Sequence, residues 1–371
     1  MTYRLFFTGF FCAIAFYNSF SVETKDTSEL TIVFAGDVMG HDSQINSAYN
    51  PDSNKYEYDS CFKYISPYIK QHDIAVANLE VTLAGQPFKG YPQFSSPDEL
   101  AIALQNNGFN IFLTANNHSL DRGRKGVERT IDILDSLNII HTGTFKNDSI
   151  KNVTYPLIIE KNNIRLAILN YTYGTNGLKV TRPNIVNYID TNEIKKDLEK
   201  ARSAMPDFII VTVHWGTEYE RSENKVQSET ADFIFSNGAD LIIGSHPHVV
   251  QPVKKYYKSE ADTLSFNIVV YSLGNYISNQ RKRYTDGGIM FSLKLTKSVD
   301  SIFINSFEYL PTWVYKPVKE NKTYFTIIPA NASIYGITDH EIPKTSIDDM
   351  KIFYDDTKKL LPDVPESNYK Y

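Results

Sequence analysis

Short apolar runs rich in β-branched and aromatic residues alternate with helix-length amphipathic segments from Leu30 onward. A chain with this alternation is expected to fold with helices flanking a sheet, which is an α/β architecture. Candidate strands occur at residues 30–35, 74–77, 109–114, 208–213, 241–243 and 268–271. Polar or small residues follow each run, and ligand sites of open α/β sheets lie beyond the carboxyl ends of the strands.

Helix signals and a hairpin signal occur between the candidate strands. Ser96 is placed to cap a helix with Pro97 at its first position, and Gly108 stands where that helix is expected to stop. Helices are predicted at residues 97–107, 126–137, 192–202 behind Thr191 as cap, 226–237 and 347–361. A hairpin is predicted from 157–160 and 164–171, and further strands at 289–295 and 301–309.

The N-terminal residues have the pattern of a secretory signal peptide. Arg4 precedes an apolar stretch of about thirteen residues, which is too short for a comfortable membrane span, and Ser19 and Ser21 supply small residues for cleavage. We expect residues 1–21 to be removed by cleavage after Ser21 and the protein to be exported to the periplasm or cell envelope. The alternative is an uncleaved membrane anchor. With no repeat or low-complexity linker, residues 22–371 are predicted to form one domain.

The charge of the chain limits which classes of partner are expected, and its cysteine content indicates the role of Cys61. The formal net charge is -5, and the longest basic run is Arg281, Lys282 and Arg283. No nucleic-acid partner is expected, because phosphate backbones are bound by extensive basic surfaces. The basic run is either a site for an anionic polymer or phosphate, or a solvated surface. Cys61 would be the single cysteine after cleavage, so it is expected to be a buried small hydrophobic residue.

Five candidate strands are followed by possible metal ligands. The residues concerned are Asp37, Asn78 to Glu80, Asn116 to His118, His214, and His246 with His248. One histidine after a strand is usually structural, but the same feature at five strand ends indicates a metal site. The mixture of imidazole, carboxylate and amide donors suits zinc, manganese or iron better than calcium or magnesium.

Six motifs occur in an order that resembles the CapA-type capsule-synthesis family, which is linked to poly-gamma-glutamate and lies within the calcineurin-like metallophosphoesterase superfamily. The motifs are GDVM, NLEVTL, ANNHSLDRG, HWGTEY, GSHPHVVQP and YSLGNYISNQ. The motifs lie within residues 30–295, which we call the motif core. Residues 296–371 are expected to form C-terminal strands and a helix. The resemblance implies a four-layer α/β/β/α sandwich that holds two divalent transition metal ions.

The resemblance also implies roles for particular residues. The implied metal ligands are Asp37, Glu80, Asn117, His214, His246 and His248. Glu80 corresponds to the bridging carboxylate, and His118 to the catalytic histidine that protonates the leaving group or holds the phosphoryl group. The sequence departs from the superfamily pattern at two places. Met39 stands where a metal-binding histidine is expected, and either Asn78 or Glu80 can face the metals.

Four further residues are candidates for substrate binding. Asp121 and Arg122 are expected either to orient His118 or bind an anionic substrate, or else to form a loop ion pair or cap. Glu218 is expected to line the pocket unless it has a structural role in its loop. Asn275 follows another strand and is expected to reach the site unless it too is structural.

The sequence therefore favours an exported metal-dependent hydrolase or transferase of the calcineurin-like class. Its expected setting is capsule or cell-surface polymer biosynthesis, and its expected substrate is a phosphoester or an anionic polymer. The alternative is a noncatalytic subunit that binds the polymer for a membrane-bound capsule synthase. A purely structural envelope protein is a third hypothesis.

Overall fold

The computed structural model describes residues 27–259, 262–299, 301–333 and 342–369. The predicted signal peptide lies outside the described residues. Across these four ranges, no helix combines the length and the apolar character that a membrane span requires.

Eight α-helices and twenty strands make up the described structure. The helices are α1 (Asp42–Ala48), α2 (Ser66–Ile69), α3 (Glu99–Asn106), α4 (Gly123–Ser136), α5 (Asp148–Thr154), α6 (Thr191–Ser203), α7 (Lys225–Ser236) and α8 (Lys344–Leu360). The first ten strands are β1 (Ser28–Val38), β2 (Tyr49–Asn50), β3 (Lys55–Tyr56), β4 (Ile74–Leu79), β5 (Ile111–Leu113), β6 (Ile140–Thr142), β7 (Thr144–Phe145), β8 (Leu157–Lys161), β9 (Ile164–Thr172) and β10 (Ile185–Val186). The remaining strands are β11 (Phe208–His214), β12 (Leu241–Ser245), β13 (Val253–Ser259), β14 (Asp262–Val270), β15 (Asn275–Ile277), β16 (Gly287–Lys297), β17 (Ile302–Tyr315), β18 (Val318–Lys319), β19 (Lys322–Thr323) and β20 (Thr326–Pro329).

Two large sheets contain most of these strands. The first has the order β20-β17-β16-β1-β4-β5-β6, with β15 also paired to β1, and the second has the order β13-β14-β12-β11-β9-β8. Strands β1, β4, β5 and β6 are mutually parallel in the first sheet, and β9, β11, β12 and β14 are parallel in the second. The carboxyl ends of the parallel strands therefore meet at one edge of each sheet.

The two sheets pack face to face, and helices cover their outer faces. Ile32 and Phe34 of β1 share one buried cluster with Ile168 of β9 and Ile210 of β11. The intervening Val33 points to the opposite face, where residues of α3 pack. On the outer face of the second sheet, residues of α6 and α7 pack against β9 and β11. This confirms the predicted four-layer α/β/β/α arrangement, because three separate buried clusters lie between the four successive layers.

The predicted strands and helices are confirmed, with shifts at their ends. All six candidate strands are present as β1, β4, β5, β11, β12 and β14. The predicted hairpin joins β8 to β9 through Asn162 and Asn163, whose φ angles of 52° and 58° fit a two-residue type I′ turn. The predicted terminal helix is α8, which packs into the edge of the cluster between the sheets through Met350 and Phe353.

Two predicted helix caps are wrong. The helix predicted from residue 97 begins at Glu99 behind Asp98, and the hydroxyl of Ser96 is buried without a hydrogen-bond partner in the described structure. Helix α6 is capped by Asp190, which accepts hydrogen bonds from the backbone N–H groups of Asn192 and Glu193 at 2.9 and 3.1 Å, and not by Thr191. Aspartate is among the favoured residues at this position. Asp98 precedes α3 without a capping hydrogen bond, because its carboxylate pairs with Arg129.

Cys61 provides a test of the packing on the outer side of the first sheet. The residue is buried among the residues of that helical layer, and burial raises the pKa of its thiol to about 12. Because the thiolate is the reactive form, we expect Cys61 in a Cys12→Ser variant to resist a thiol reagent at pH 8 and to react fully after denaturation. Rapid labelling of the folded variant would contradict this packing.

Candidate metal centre

The predicted ligands lie at the edge where the carboxyl ends of both sheets meet. Asp37 lies near the end of β1 and is paired with Asn78 of β4, while His214 ends β11 and is paired with Ser245 of β12. Gly36 allows β15 to lie beside β1, because a Cβ atom at this position would be 1.9 Å from the carbonyl oxygen of Gly274. The Gly-Asp pair thus lies within a strand.

Two groups of potential ligands converge at this edge. Glu80, His214 and His246 form one group, and within it the ligand atoms lie within 4.8 Å of one another. Asp37, Glu80 and His248 form the second group by the same distance criterion. All of these residues are buried, and Glu80 belongs to both groups. Glu80 is therefore the carboxylate that the two groups share.

The environment of Glu80 is unfavourable for a carboxylate without a cation. Its side chain is 0 % exposed, and neither oxygen has a hydrogen-bond partner in the described structure. Burial raises the pKa of Glu80 well above its ordinary value, and the nearby charge of Asp37 acts in the same direction. A buried charge with no partner is costly, so these two oxygens fit the coordination of a cation.

The histidines offer neutral imidazoles to the same space. Burial lowers the pKa of His214 well below its ordinary value and that of His246 to about 3, and neighbouring imidazoles add to both shifts. Neutral imidazole is the form that ligates metals. His246 Nδ1 is buried without a hydrogen-bond partner among the described residues. The backbone at His246 and His248 has φ angles of 100° and 59°, a conformation that residues other than glycine adopt at some cost in free energy.

Hydrogen bonds between the potential ligands and nearby amides fix their orientation. Asn78 Nδ2 donates to Asp37 Oδ1 at 2.8 Å and lies 3.2 Å from His214 Nδ1. His214 Nε2 lies 2.9 Å from Asn117 Oδ1, and His248 Nδ1 lies 3.0 Å from Asp37 Oδ2. Asn117 is thereby brought to the cluster, and Asn78 acts as an orienting residue of the kind that supports metal sites.

His118 lies beside the cluster but belongs to neither ligand group. Its Nδ1 is 2.7 Å from Asp121 Oδ2, and the same oxygen accepts a hydrogen bond from the backbone N–H of Phe94 at 2.6 Å. The ring of Phe94 packs edge-on against His118 with 4.6 Å between the ring centroids. Of the two functional hypotheses for Asp121, the structure favours orientation of His118, because the carboxylate is buried against that imidazole.

The other predicted substrate-binding residues are distributed around this edge. Arg122 contacts the carbonyl of Pro87 at 3.4 Å, so its guanidinium is directed to a neighbouring loop. Asn275 Nδ2 donates to Gln280 Oε1 at 3.0 Å and to the carbonyl of Thr285 at 2.8 Å. This amide nitrogen therefore holds a loop and does not extend into the site. Glu218 is exposed and contributes to raising the pKa of Glu80.

Two residues near the cluster were not predicted as site residues. His41 caps α1 through a capping box with Gln44; burial lowers the pKa of His41 to about 4, and His248 and His118 act in the same direction. The ring centroid of Tyr173 lies 4.5 Å from that of His246. His41 follows Asp37 by four residues, but it lies in a loop, where no periodic pattern indicates which way a side chain points.

Comparison with known proteins agrees with the motif pattern. Residues 31–280 match the family described as bacterial capsule synthesis protein PGA_cap. The chain belongs to this family. The capsule biosynthesis protein CapA of Bacillus anthracis is 27 % identical over 82 % of this chain and 74 % of its own length. The PGA biosynthesis protein CapA of Bacillus subtilis is 26 % identical over 81 % of this chain and 78 % of its own length.

Solved structures similar to this capsule-synthesis family member include phosphoesterases. The calcineurin-like phosphoesterase YfkN of Bacillus subtilis is 14 % identical with a TM-score of 0.43, covering 90 % of this chain and 98 % of its own. The NAD nucleotidase of Haemophilus influenzae is 13 % identical with a TM-score of 0.46, covering 90 % of this chain and 68 % of its own.

Glu80→Gln tests whether the buried carboxylate of Glu80 is a ligand to a cation. The pKa of Glu80 in the folded protein lies well above its ordinary value of 4.5. In metal-stripped protein the free energy of unfolding therefore falls as the pH rises from 4.5 through the folded pKa, because the unfolded chain ionises this carboxyl more readily than the folded protein does. At pH 7 we expect Glu80→Gln to raise the melting temperature of stripped protein, by about 1–2 °C for each kcal/mol gained in a chain of this length. The variant should also lose the stabilisation produced by added Mn²⁺ or Zn²⁺.

The matched control is Glu218→Gln, which removes the same charge from an exposed neighbouring position. It should leave the metal-dependent stabilisation in place and change the stripped protein much less. Unchanged metal-dependent stabilisation in Glu80→Gln would show that this carboxylate is not a ligand.

Proposed function

We propose that this protein is an exported, metal-dependent phosphoesterase-like hydrolase or transferase that acts in capsule or cell-surface polymer biosynthesis. The observation that carries the proposal is the convergence of two ligand groups on Glu80, whose buried oxygens have no hydrogen-bond partner in the described structure. A dinuclear site with a shared carboxylate suits displacement at phosphorus. Export is supported by the signal-like N-terminal sequence, and the polymer setting by the names of the two CapA relatives.

The donor set fits two divalent transition ions. Asp37, Glu80 and His248 would hold one, and Glu80, His214 and His246 with Asn117 would hold the other. When bound, such ions supply positive charge that stabilises the negative charge developing on a phosphoryl group. Manganese, zinc and iron all match the mixture of nitrogen and oxygen donors.

His118 is the proposed acid or base. Its Nδ1 is engaged by Asp121, which fixes the ring and leaves Nε2 as the atom able to exchange a proton with a leaving group or nucleophile. The edge-on contact with Phe94 and the hydrogen bond from the Phe94 N–H to Asp121 hold both members of the pair. Asp121 is therefore a positioning residue in this proposal.

His118→Gln is the first activity test. In a screen of aryl phosphomonoesters and phosphodiesters with added manganese, zinc or iron, we expect a loss of about 10²–10⁴-fold in kcat, as is usual for removal of a general acid or base. Bound metal should be retained, because His118 belongs to neither ligand group. His141→Gln is the control, since His141 of β6 also pairs with an aspartate, Asp135 of α4, but in a more exposed position, and this variant should keep full activity.

His246→Ala tests the metal stoichiometry. Elemental analysis of the purified wild-type protein should find about two transition ions per chain, and the variant should lose most of this metal because one ligand group is broken. His141→Ala, which changes a histidine outside both groups, should retain the wild-type content. Equal metal content in all three proteins would contradict the proposed ligand set.

The second candidate function is a noncatalytic polymer-binding subunit of a membrane capsule synthase. The exposed cations beside the metal centre support it. Three results together would favour this function over the enzyme. The protein would bind metal, it would leave phosphoester and amide substrates intact, and His118→Gln would have no effect on capsule formation in cells.

A further inference from the structure

A loop bearing three successive cations is fixed beside the metal centre. This segment, residues 280–285, is called the basic loop and contains Arg281, Lys282 and Arg283. Asn275 Nδ2 donates to the carbonyl of Thr285 at 2.8 Å, and Thr285 N donates to the carbonyl of Lys282 at 3.0 Å. Asn275 is also the register partner of Asp37. The loop is therefore tied to the strand that neighbours a predicted metal ligand.

Lys282 extends toward the metal centre. Its Nζ lies 3.9 Å from the centroid of the Tyr219 ring, which is 6.2 Å from the centroid of the His248 ring. Arg281 and Lys282 are both exposed, and neither forms an ion pair with any residue of the described ranges. Two positive charges are thus available to an anion within a short distance of the predicted ligands.

A cleft continues from the basic loop away from the metal centre. Its volume is about 650 Å³, within the range of about 300–1,000 Å³ that is usual for ligand sites. The other sides of the cleft are formed by Trp313 of β17, by Lys316 and by Phe353 of α8. Partial burial lowers the pKa of Lys316, and the charge of Arg281 acts in the same direction. Two like charges held near each other favour a bound anion.

The carboxylates of the cleft do not neutralise these cations. Asp356 pairs with Arg283 at 2.6 Å, and Asp286 accepts a hydrogen bond from Trp313 Nε1 at 2.7 Å. Asp286 partly offsets the charge of Arg281, because it opposes the lowering of the Arg281 pKa that burial causes, but it forms no ion pair with Arg281 among the described residues. Asp349 is exposed on the α8 side of the cleft. The positive charge therefore remains concentrated on the side that adjoins the metal centre.

We propose that Arg281, Lys282 and Lys316 form a second binding subsite, which holds the oxyanion groups of an anionic polymer without the help of metal. The polymer would extend from the metal centre, where its reacting bond lies, along the cleft; this part of the proposal rests on the proposed function. Guanidinium and ammonium groups bind both carboxylate and phosphate. The shared chemistry is a chain with repeated oxyanions.

The test measures binding by chelator-treated full-length protein. Fluorescently labelled polyglutamate and labelled linear polyphosphate are titrated separately, with binding followed by anisotropy at two salt concentrations. We expect Arg281→Gln/Lys282→Gln to weaken binding at least about 10-fold and to reduce its salt dependence, because fewer cations are engaged. The control Lys70→Gln/Lys195→Gln removes two exposed cations from outside the cleft and should bind as the wild type does.

Lys316→Gln gives a second, independent variant from another element of the fold. It should weaken binding in the same direction, and melting temperatures of all variants should match the wild type because the changed charges are not buried in ion pairs. Binding of polyglutamate alone or of polyphosphate alone would support the subsite and identify its oxyanion. Equal binding by the double variant and its control would overturn the proposal, as would binding only of anionic lipid vesicles or only in the presence of metal.

The outcome separates this subsite from the proposed function. If the protein binds polymer through the basic loop but turns over no substrate, the subsite proposal stands and the enzyme proposal is wrong. Conversely, if turnover depends on His118 but substitutions in the basic loop do not change polymer binding, the enzyme proposal stands and the subsite proposal is wrong.

Discussion

The arrangement of this protein depends on a buried carboxylate, Glu80, at the edge where two sheets meet. Neither of its oxygens has a hydrogen-bond partner in the described structure, and Asp37, equally buried, lies close enough to raise its pKa further. Two such groups disfavour folding unless positive charge is supplied. The large apolar cluster between the sheets offsets this cost, because the hydrophobic packing that joins the layers also brings the ligand groups together.

Neutral amides surround this charged centre. Asn78 is bonded to Asp37 and close to His214, Asn117 contacts His214, and Asn116 Nδ2 donates to the carbonyl of Leu79 at 2.8 Å. Additional carboxylates in these positions would add negative charge to a site that already carries two. Amides orient imidazole and carboxylate groups through hydrogen bonds without that electrostatic cost. The cations of the basic loop, in contrast, lie at the exposed margin where hydration limits their mutual repulsion.

The sequence was sufficient to predict the layers and the convergence of strand ends, because buried parallel strands are apolar and their polar ends are easily recognised. It could not decide between Asn78 and Glu80. Side chains two residues apart in an extended segment point to the same side. In the structure both face the cluster, where Glu80 belongs to the two ligand groups and Asn78 contacts Asp37 and His214. The proximity of His41 was missed because loop packing has no periodicity. The cap at Asp190 was missed because the neighbouring Thr191 offered an equally suitable side chain.

The two kinds of ligand come from different sheets and from different parts of the chain. Carboxylates are supplied by β1 and the residue after β4, whereas the imidazoles are supplied by β11 and the segment after β12. His248 lies about 170 residues beyond Glu80. A chain emerging from its N-terminus therefore presents the acidic half long before the imidazole half exists. A metal centre of the proposed kind would be complete only after the second sheet has been assembled, so it would take its ions from the compartment in which folding finishes.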